Sequence, residues 1–439
     1  MTKTRTVKSK STRWLELVLI GCALLAFFCA SIQHIEFHPD ESYWIATSDH
    51  FEAFAKAEFA SPVWHGSYWT STGLPLTRYL IGIGRRIGGY RVADLILPWD
   101  FRLDRAANIA RGAMPGPGLL WWSRLPMAVL AVVCGMIAFI LVSRTAGRLA
   151  GYVMLVLFVV NPYFLYTLCR AMNEAPLLAS TLLAALAGHQ ALISCKHVAA
   201  WTDNTARAFF RSLIWFAIMG MFCGMAGVAK INGLSILPAG LALCVIAPLA
   251  QKGISRSRLL GFITSAGAVT ILAAGFAFVA LNPYLYPAPL RHTYGLVATR
   301  LKTMKIQQAE YPSSRMGDSL TVRLPLVAQR VFSQYAALNF PGSWVGNIPL
   351  CLVGLCYLLY TAWYWLHSGI GSGASAVLLL IAFTSAAPTL STPLDWDRYY
   401  LFAVFFSTIS IAVGVSWVIK SLSLWVGDRR LLSQQRSGQ

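Results

Sequence analysis

Apolar residues recur in runs of roughly 18 to 23 from Trp14 to Lys420, the length an α-helix needs to cross about 30 Å of hydrocarbon. Tilted barrel strands are about half that length, so the runs point to helices. Their recurrence excludes a water-soluble enzyme carrying one anchor, and a mean hydropathy of +0.58 with 12% charged residues excludes long disorder. Ten spans are expected, near residues 14–33, 124–143, 150–168, 175–194, 212–229, 233–250, 259–281, 347–366, 374–391 and 399–419. The expected class is an all-α polytopic membrane protein.

The net charge of +19 does not call for nucleic acid, because Lys and Arg gather in cytoplasmic loops. Lys3, Arg5, Lys8, Lys10 and Arg13 precede the first run, which has no small-residue cleavage site, so a retained signal anchor with a cytoplasmic N-terminus is expected. In that orientation the short inner segments hold 17 of the 36 basic residues and only 3 of the 17 acids. The other 14 acids fall on the outer side, mostly in two long segments, 34–123 and 282–346, where polar chemistry is expected. The whole chain, 1–439, reads as one transmembrane domain with a basic arm at 1–13 and a cytoplasmic tail at 421–439. The C-terminus is then cytoplasmic too, in a plasma (inner) membrane. Residues 75–90 mix apolar positions with Arg78, Arg85 and Arg86, as an amphipathic helix lying on the membrane does. Asn-Pro-Tyr occurs at 161–163 and 282–284, where proline stops or kinks a helix. The nine cysteines show no metal-ligand spacing and read as apolar fillers.

The strongest local signal is the stretch beginning Phe37-His38-Pro39-Asp40-Glu41, just past the first span. Proline followed by two acids is a helix start that meets the positive end of the dipole. Paired acids at the mouth of a membrane-embedded cavity also carry a desolvation penalty that chemistry would explain. Together with Asp395-Trp396-Asp397-Arg398-Tyr399-Tyr400 before the last span, and segments from Arg124, Asn161 and Gly227, this pattern resembles the GT-C membrane glycosyltransferases. Closest are the protein O-mannosyltransferase-like and aminoarabinose-transferase-like branches. The resemblance covers most of the chain as topology and only these short motifs as sequence. It implies a GT-C-like fold with amphipathic helices in two outer loops. It also implies transfer of a hexosyl or pentosyl group from a polyprenyl-phosphate donor to an acceptor hydroxyl of a protein, lipid or glycan. By the resemblance the first acid of the pair is the base, hence Asp40.

The residues suit that chemistry on their own terms. A phosphate leaving group needs no proton donor, so one carboxylate and a set of cations suffice, unlike the two spaced carboxyls of a glycosidase. Glu41, about 100° round the helix from Asp40, is grouped with the catalytic acids, as holder of a neighbouring loop or of the acceptor; the two roles are interchangeable on sequence. Arg170 and Glu174 stand four apart, either as a local ion pair or as a phosphate ligand and a second site acid. Lys230 and Arg398 are the expected phosphate cations, the guanidinium binding bidentately; the alternative for Lys230 is snorkelling to the interface. His38, Tyr43, Asp397 and Tyr399 are expected to line the site, with the aromatics also suited to anchoring at the interface.

His34, Glu36, His38, Asp40, Asp49 and His50 collect nitrogen and oxygen donors at a spacing that matches no recognised metal site; no cofactor is assigned, and a divalent cation stays open. Arg291, Arg300, Lys302, Lys305 and Arg315 in the second long segment suit a solvated face, a lid near lipid headgroups or a donor-binding surface. The expected partners are the lipid-linked donor, membrane lipids and the acceptor. Two other functions fit parts of the pattern: a secondary transporter, against which stands the absence of two related halves, and an inactive relative serving as an assembly partner.

Overall fold

The computed structural model describes residues 10–65, 73–199, 205–251 and 255–437. Lys3, Arg5 and Lys8 of the basic arm lie outside the described residues, as do parts of two inner loops expected at 195–211 and 251–258. Its helices are α1 (Lys10–Ser31), α2 (Pro39–Ala46), α3 (His50–Ala55), α4 (Leu76–Ile87), α5 (Arg105–Ala110), α6 (Pro117–Ala146), α7 (Arg148–Val160), α8 (Pro162–Cys169), α9 (Glu174–Ala199), α10 (Thr205–Ala229), α11 (Leu237–Leu249), α12 (Arg256–Ala280), α13 (Pro289–Glu310), α14 (Leu320–Gln329), α15 (Trp344–Ser368), α16 (Ala374–Ala386) and α17 (Leu401–Ser437). No strand is present among the described residues. Among the described residues nine helical segments are long and apolar enough to cross a membrane, and α7 with α8 make a tenth if taken as one broken span. The chain is an integral membrane protein of all-α class.

The expected third span, 150–168, is not straight: α7 and α8 meet at 71°. The cause is local. Pro162 cannot donate to the preceding turn, and the Asn161 side chain caps the new helix by accepting from the Tyr163 N–H at 3.0 Å. The second span begins earlier than its apolar run suggests, at Pro117, so Arg124 lies inside α6. The tail expected from residue 421 continues α17 to Ser437.

The largest departure is α4. Its arginines were expected to face the headgroups, yet Arg78 and Arg85 are 1% and 0% exposed and only Arg86 is open. Arg85 donates to Ser48 Oγ at 2.8 Å and pairs with Glu52. Arg78 meets His50 Nε2 at 3.0 Å, bonds the Tyr43 hydroxyl and lies over the Tyr43 and Trp44 rings. Partners from α2 and α3 thus convert a surface pattern into a buried polar joint, and Ile83 and Ile87 are left exposed instead.

Candidate active site

The site grows from the start of α2. Pro39 fixes the first helical φ, and His38 caps the helix: its Nδ1 accepts from the Asp40 N–H at 3.2 Å, while its own N–H donates to Glu41 at 2.9 Å. The capping expected from sequence is therefore present. It also aims the two acids apart.

Glu41 turns inward and is fully buried. It accepts from Arg124 Nε at 2.7 Å and Nη2 at 2.6 Å, and from the Ala171 N–H at 2.8 Å. Arg124 in turn donates to the Ile32, Ile35 and Glu36 carbonyls. Glu41 therefore ties together the end of α1, α6 and the turn after α8. It touches neither chamber described next, which separates it from the acids that face the cavity.

Asp40 turns outward to the junction of two chambers. The larger, about 990 Å³, is lined by His38, Arg170, Glu174, Gln307, Tyr311, Tyr335, Trp396 and Asp397, among others. The smaller, about 160 Å³, holds Tyr43, Trp44, Lys230, Arg300 and Tyr399. Asp40, Gln307 and Arg398 belong to both. The Asp40 carboxylate is paired with Arg398, with both side chains 22% exposed. Burial pushes the Asp40 carboxyl up, but Arg398, with His38 and Lys230, outweighs it and holds the group below its ordinary value.

Lys230 sits where α10 stops. Its backbone is extended, and the chain restarts as a 3-10 turn over Ile231–Ile236 before α11. Gly233 permits that break: a Cβ there would lie 2.2 Å from the Ala226 carbonyl. The Lys230 ammonium reaches Glu174 at 3.3 Å and lies 5.2 Å from the Tyr399 ring centroid. Glu174 is thus paired across helices and not with Arg170, which instead faces the Tyr166 ring from 5.9 Å. Arg398 stands over the Trp396 ring at 4.6 Å, and Trp396 stacks on Tyr399 with a 12° interplanar angle. Asp397 accepts from the Arg398 N–H at 2.7 Å and offers its carbonyl to the Tyr163 hydroxyl at 2.8 Å. Asp395 serves the frame: it pairs with Arg330 and accepts from Tyr400 at 2.6 Å. Those bonds outweigh burial and hold its carboxyl low.

The donor cluster weighed for a cation does not converge. Asp49 and His50 pair with each other at 3.3 Å beside Arg78, away from Asp40. Burial, and then Arg78, lower the His50 ring below its usual value. No group of three His, Cys, Asp or Glu side chains is placed to hold a metal ion among the described residues.

One site residue escaped sequence reasoning, and another was named only as part of a run with a donor-binding surface among its alternatives. Arg124 was visible only as the first residue of an apolar run, and its burial needs a partner 83 positions away. Arg300 stood in a charge run, yet it donates to the Tyr399 hydroxyl at 3.1 Å and lines the smaller chamber. The spacing Leu296, Arg300, Thr303, Gln307 is one helical face, and would have separated it from its neighbours.

Comparison with solved structures returns distant matches, at 13% to 15% identity. ArnT from Cupriavidus metallidurans, bound to undecaprenyl phosphate, matches with a TM-score of 0.49 at 15% identity over 92% of this chain and 60% of that one. The Archaeoglobus fulgidus oligosaccharyltransferase AglB, with an inhibitory peptide and a dolichol-phosphate, gives 0.49 at 13% over 96% and 52%. The S. cerevisiae protein O-mannosyltransferase complex Pmt1-Pmt2, bound to the sugar donor, gives 0.42 at 14% over 63% and 34%. The chain therefore spans less than two thirds of the length of each. No protein-family model and no curated protein matches the sequence.

Proposed function

We propose that the protein is a membrane glycosyltransferase that moves a sugar from a polyprenyl-phosphate donor to an acceptor hydroxyl, with inversion, at the outer face of a plasma (inner) membrane. The observation that carries this reading is the position of Asp40: one carboxylate, paired with Arg398, on the shared wall of a cationic chamber and a larger, mixed one.

The smaller chamber supplies what a departing phosphate needs. Lys230, Arg300 and Arg398 converge there, and cations aimed at developing negative charge lower a barrier most where water is excluded. The larger chamber has room for an acceptor. Its hydroxyl approaches Asp40, which takes the proton as the oxygen attacks the anomeric carbon; the carbon–oxygen bond to phosphate breaks on the opposite side, and the lipid phosphate leaves.

The resting Asp40–Arg398 pair is part of the mechanism. While Arg398 holds it, Asp40 is a weak base. A bound phosphate competes for the guanidinium, and each contact Arg398 gives up lets burial raise the affinity of Asp40 for a proton. Activation of the base is thereby tied to donor occupancy. Glu41 and Arg124 hold α2 in place for this step, and Glu174 keeps Lys230 at the chamber wall.

The test is direct. Purified protein is incubated with a panel of polyprenyl-phosphate sugars, and released lipid phosphate is measured with and without candidate acceptors. Release dependent on Asp40, Lys230 and Arg398 supports the reading. Release unchanged in a folded Asp40→Asn protein defeats the assignment of the base, and no release from any donor defeats the reaction class.

A further inference from the structure

One helix, α13, presents three different faces. At about 100° per residue, Leu296, Arg300, Thr303 and Gln307 fall together; Leu296 and Thr303 are buried, and Arg300, Thr303 and Gln307 line the chambers. A second stripe, Leu290, Tyr294, Val297 and Leu301, also repeats at helical spacing, about 120° away. It is exposed along its length: Leu290 89%, Tyr294 77%, Val297 41% and Leu301 57%. Arg291, Lys302 and Lys305 flank that stripe on the side away from the chambers and are exposed. None lies within 4.0 Å of a carboxylate among the described residues, and the helix carries a single acid, Glu310, in its last turn.

We infer that α13 is an interfacial helix that docks on acidic phospholipid through Leu290, Tyr294, Val297 and Leu301, with Arg291, Lys302 and Lys305 at the headgroups. Position and charge both argue for a lipid occupant. The helix starts nine residues after α12, a membrane-spanning helix whose Leu272 and Phe276 are 70% and 69% exposed. The connection is held short against the end of that span, since the Tyr286 hydroxyl donates to the Ala280 carbonyl at 2.6 Å and His292 stacks on Tyr284. An apolar stripe bordered by unpaired cations, with a tyrosine in the stripe, matches the graded polarity of a bilayer surface, and each added Lys or Arg strengthens attraction to anionic headgroups. A soluble partner matched to the same face would need acids along one edge only. The inference is independent of the transfer reaction, although the opposite side of α13 carries Arg300 and so links lipid contact to the position of that guanidinium.

The test places a photo-crosslinking phenylalanine analogue at Tyr294 in the full-length protein, reconstituted into nanodiscs of equal phosphatidylcholine and phosphatidylglycerol, and weighs the adducts by mass spectrometry. Lipid adducts are expected, with phosphatidylglycerol in about fivefold excess or more, falling to the bilayer ratio in a protein carrying Arg291→Gln, Lys302→Gln and Lys305→Gln. These side chains are exposed and unpaired, so the triple variant keeps its fold, which its elution as a single species checks. Absence of lipid adducts, or cross-links to a second copy of the chain, overturns docking. Adducts at the bilayer ratio in the parent, or a phosphatidylglycerol excess that survives the triple variant, overturn the role of the three cations.

Discussion

Asp40 and Glu41 are neighbours in sequence, each paired with an arginine from a distant segment, and the two pairs do opposite work. Glu41 and Arg124 are 0% and 2% exposed, and every oxygen of that carboxylate is engaged by protein. Asp40 and Arg398 are both 22% exposed, on a wall shared by two chambers. A closed pair can only hold; an open one can exchange partners. What distinguishes them is not the residue types but whether another ligand can reach the charges.

That contrast can be broken by substitution. Asp40→Asn is expected to lower the transfer rate by roughly 10²–10⁴-fold while leaving the thermal midpoint of the purified protein nearly unchanged; a parallel loss of both would place Asp40 with Glu41. Glu41→Ala leaves Arg124 buried and unpaired, which costs about 3–5 kcal/mol, and should show as loss of folded, monodisperse protein whatever the assay of activity.

Smaller changes sharpen the contrast. Lys230→Gln removes one charge from the smaller chamber and should raise the donor KM about tenfold, in keeping with a lost charge-assisted bond. The pH profile reads the open pair itself. Because Arg398 lowers the folded-state value of Asp40, the stabilisation it brings is complete above the unfolded value near 3.9 and lost as pH falls through the folded one. The acid limb of kcat/KM for the parent should accordingly lie below about pH 4. In Arg398→Gln burial is no longer opposed, so that limb should move upward; a limb that stays in place would remove Arg398 from control of the base. Least affected should be Arg105→Ala, whose 4.0 Å contact with the exposed Glu36 contributes little to stability.

Most of the architecture is legible from the apolar runs, because crossing hydrocarbon imposes a length that composition alone reveals. Local chemistry is legible too: Pro39, Pro162 and Asn161 end and begin helices as their geometry requires. The acids and cations near Asp40 were found because charge next to an apolar run is conspicuous. What could not be read is which charges meet. Arg78 and Arg85 follow a surface periodicity and are nevertheless buried, since Ser48, His50 and Glu52 lie across a fold that only tertiary structure supplies. Arg300 was named only with its whole charge run, because it sits among cations that face elsewhere.

In the proposed reaction a donor with a long isoprenoid tail reaches the small chamber through a gap between helices, and one seam is closed to it. At the crossing of α15 and α17 a Cβ on Gly354 would lie 1.8 Å from the Ser410 carbonyl, and one on Gly414 would lie 2.1 Å from that of Leu350. Main chain rests on main chain there, the close contact that small residues allow between helices in lipid. These two helices form one closed wall, and in the proposed reaction the portal for the tail belongs to another side of the bundle.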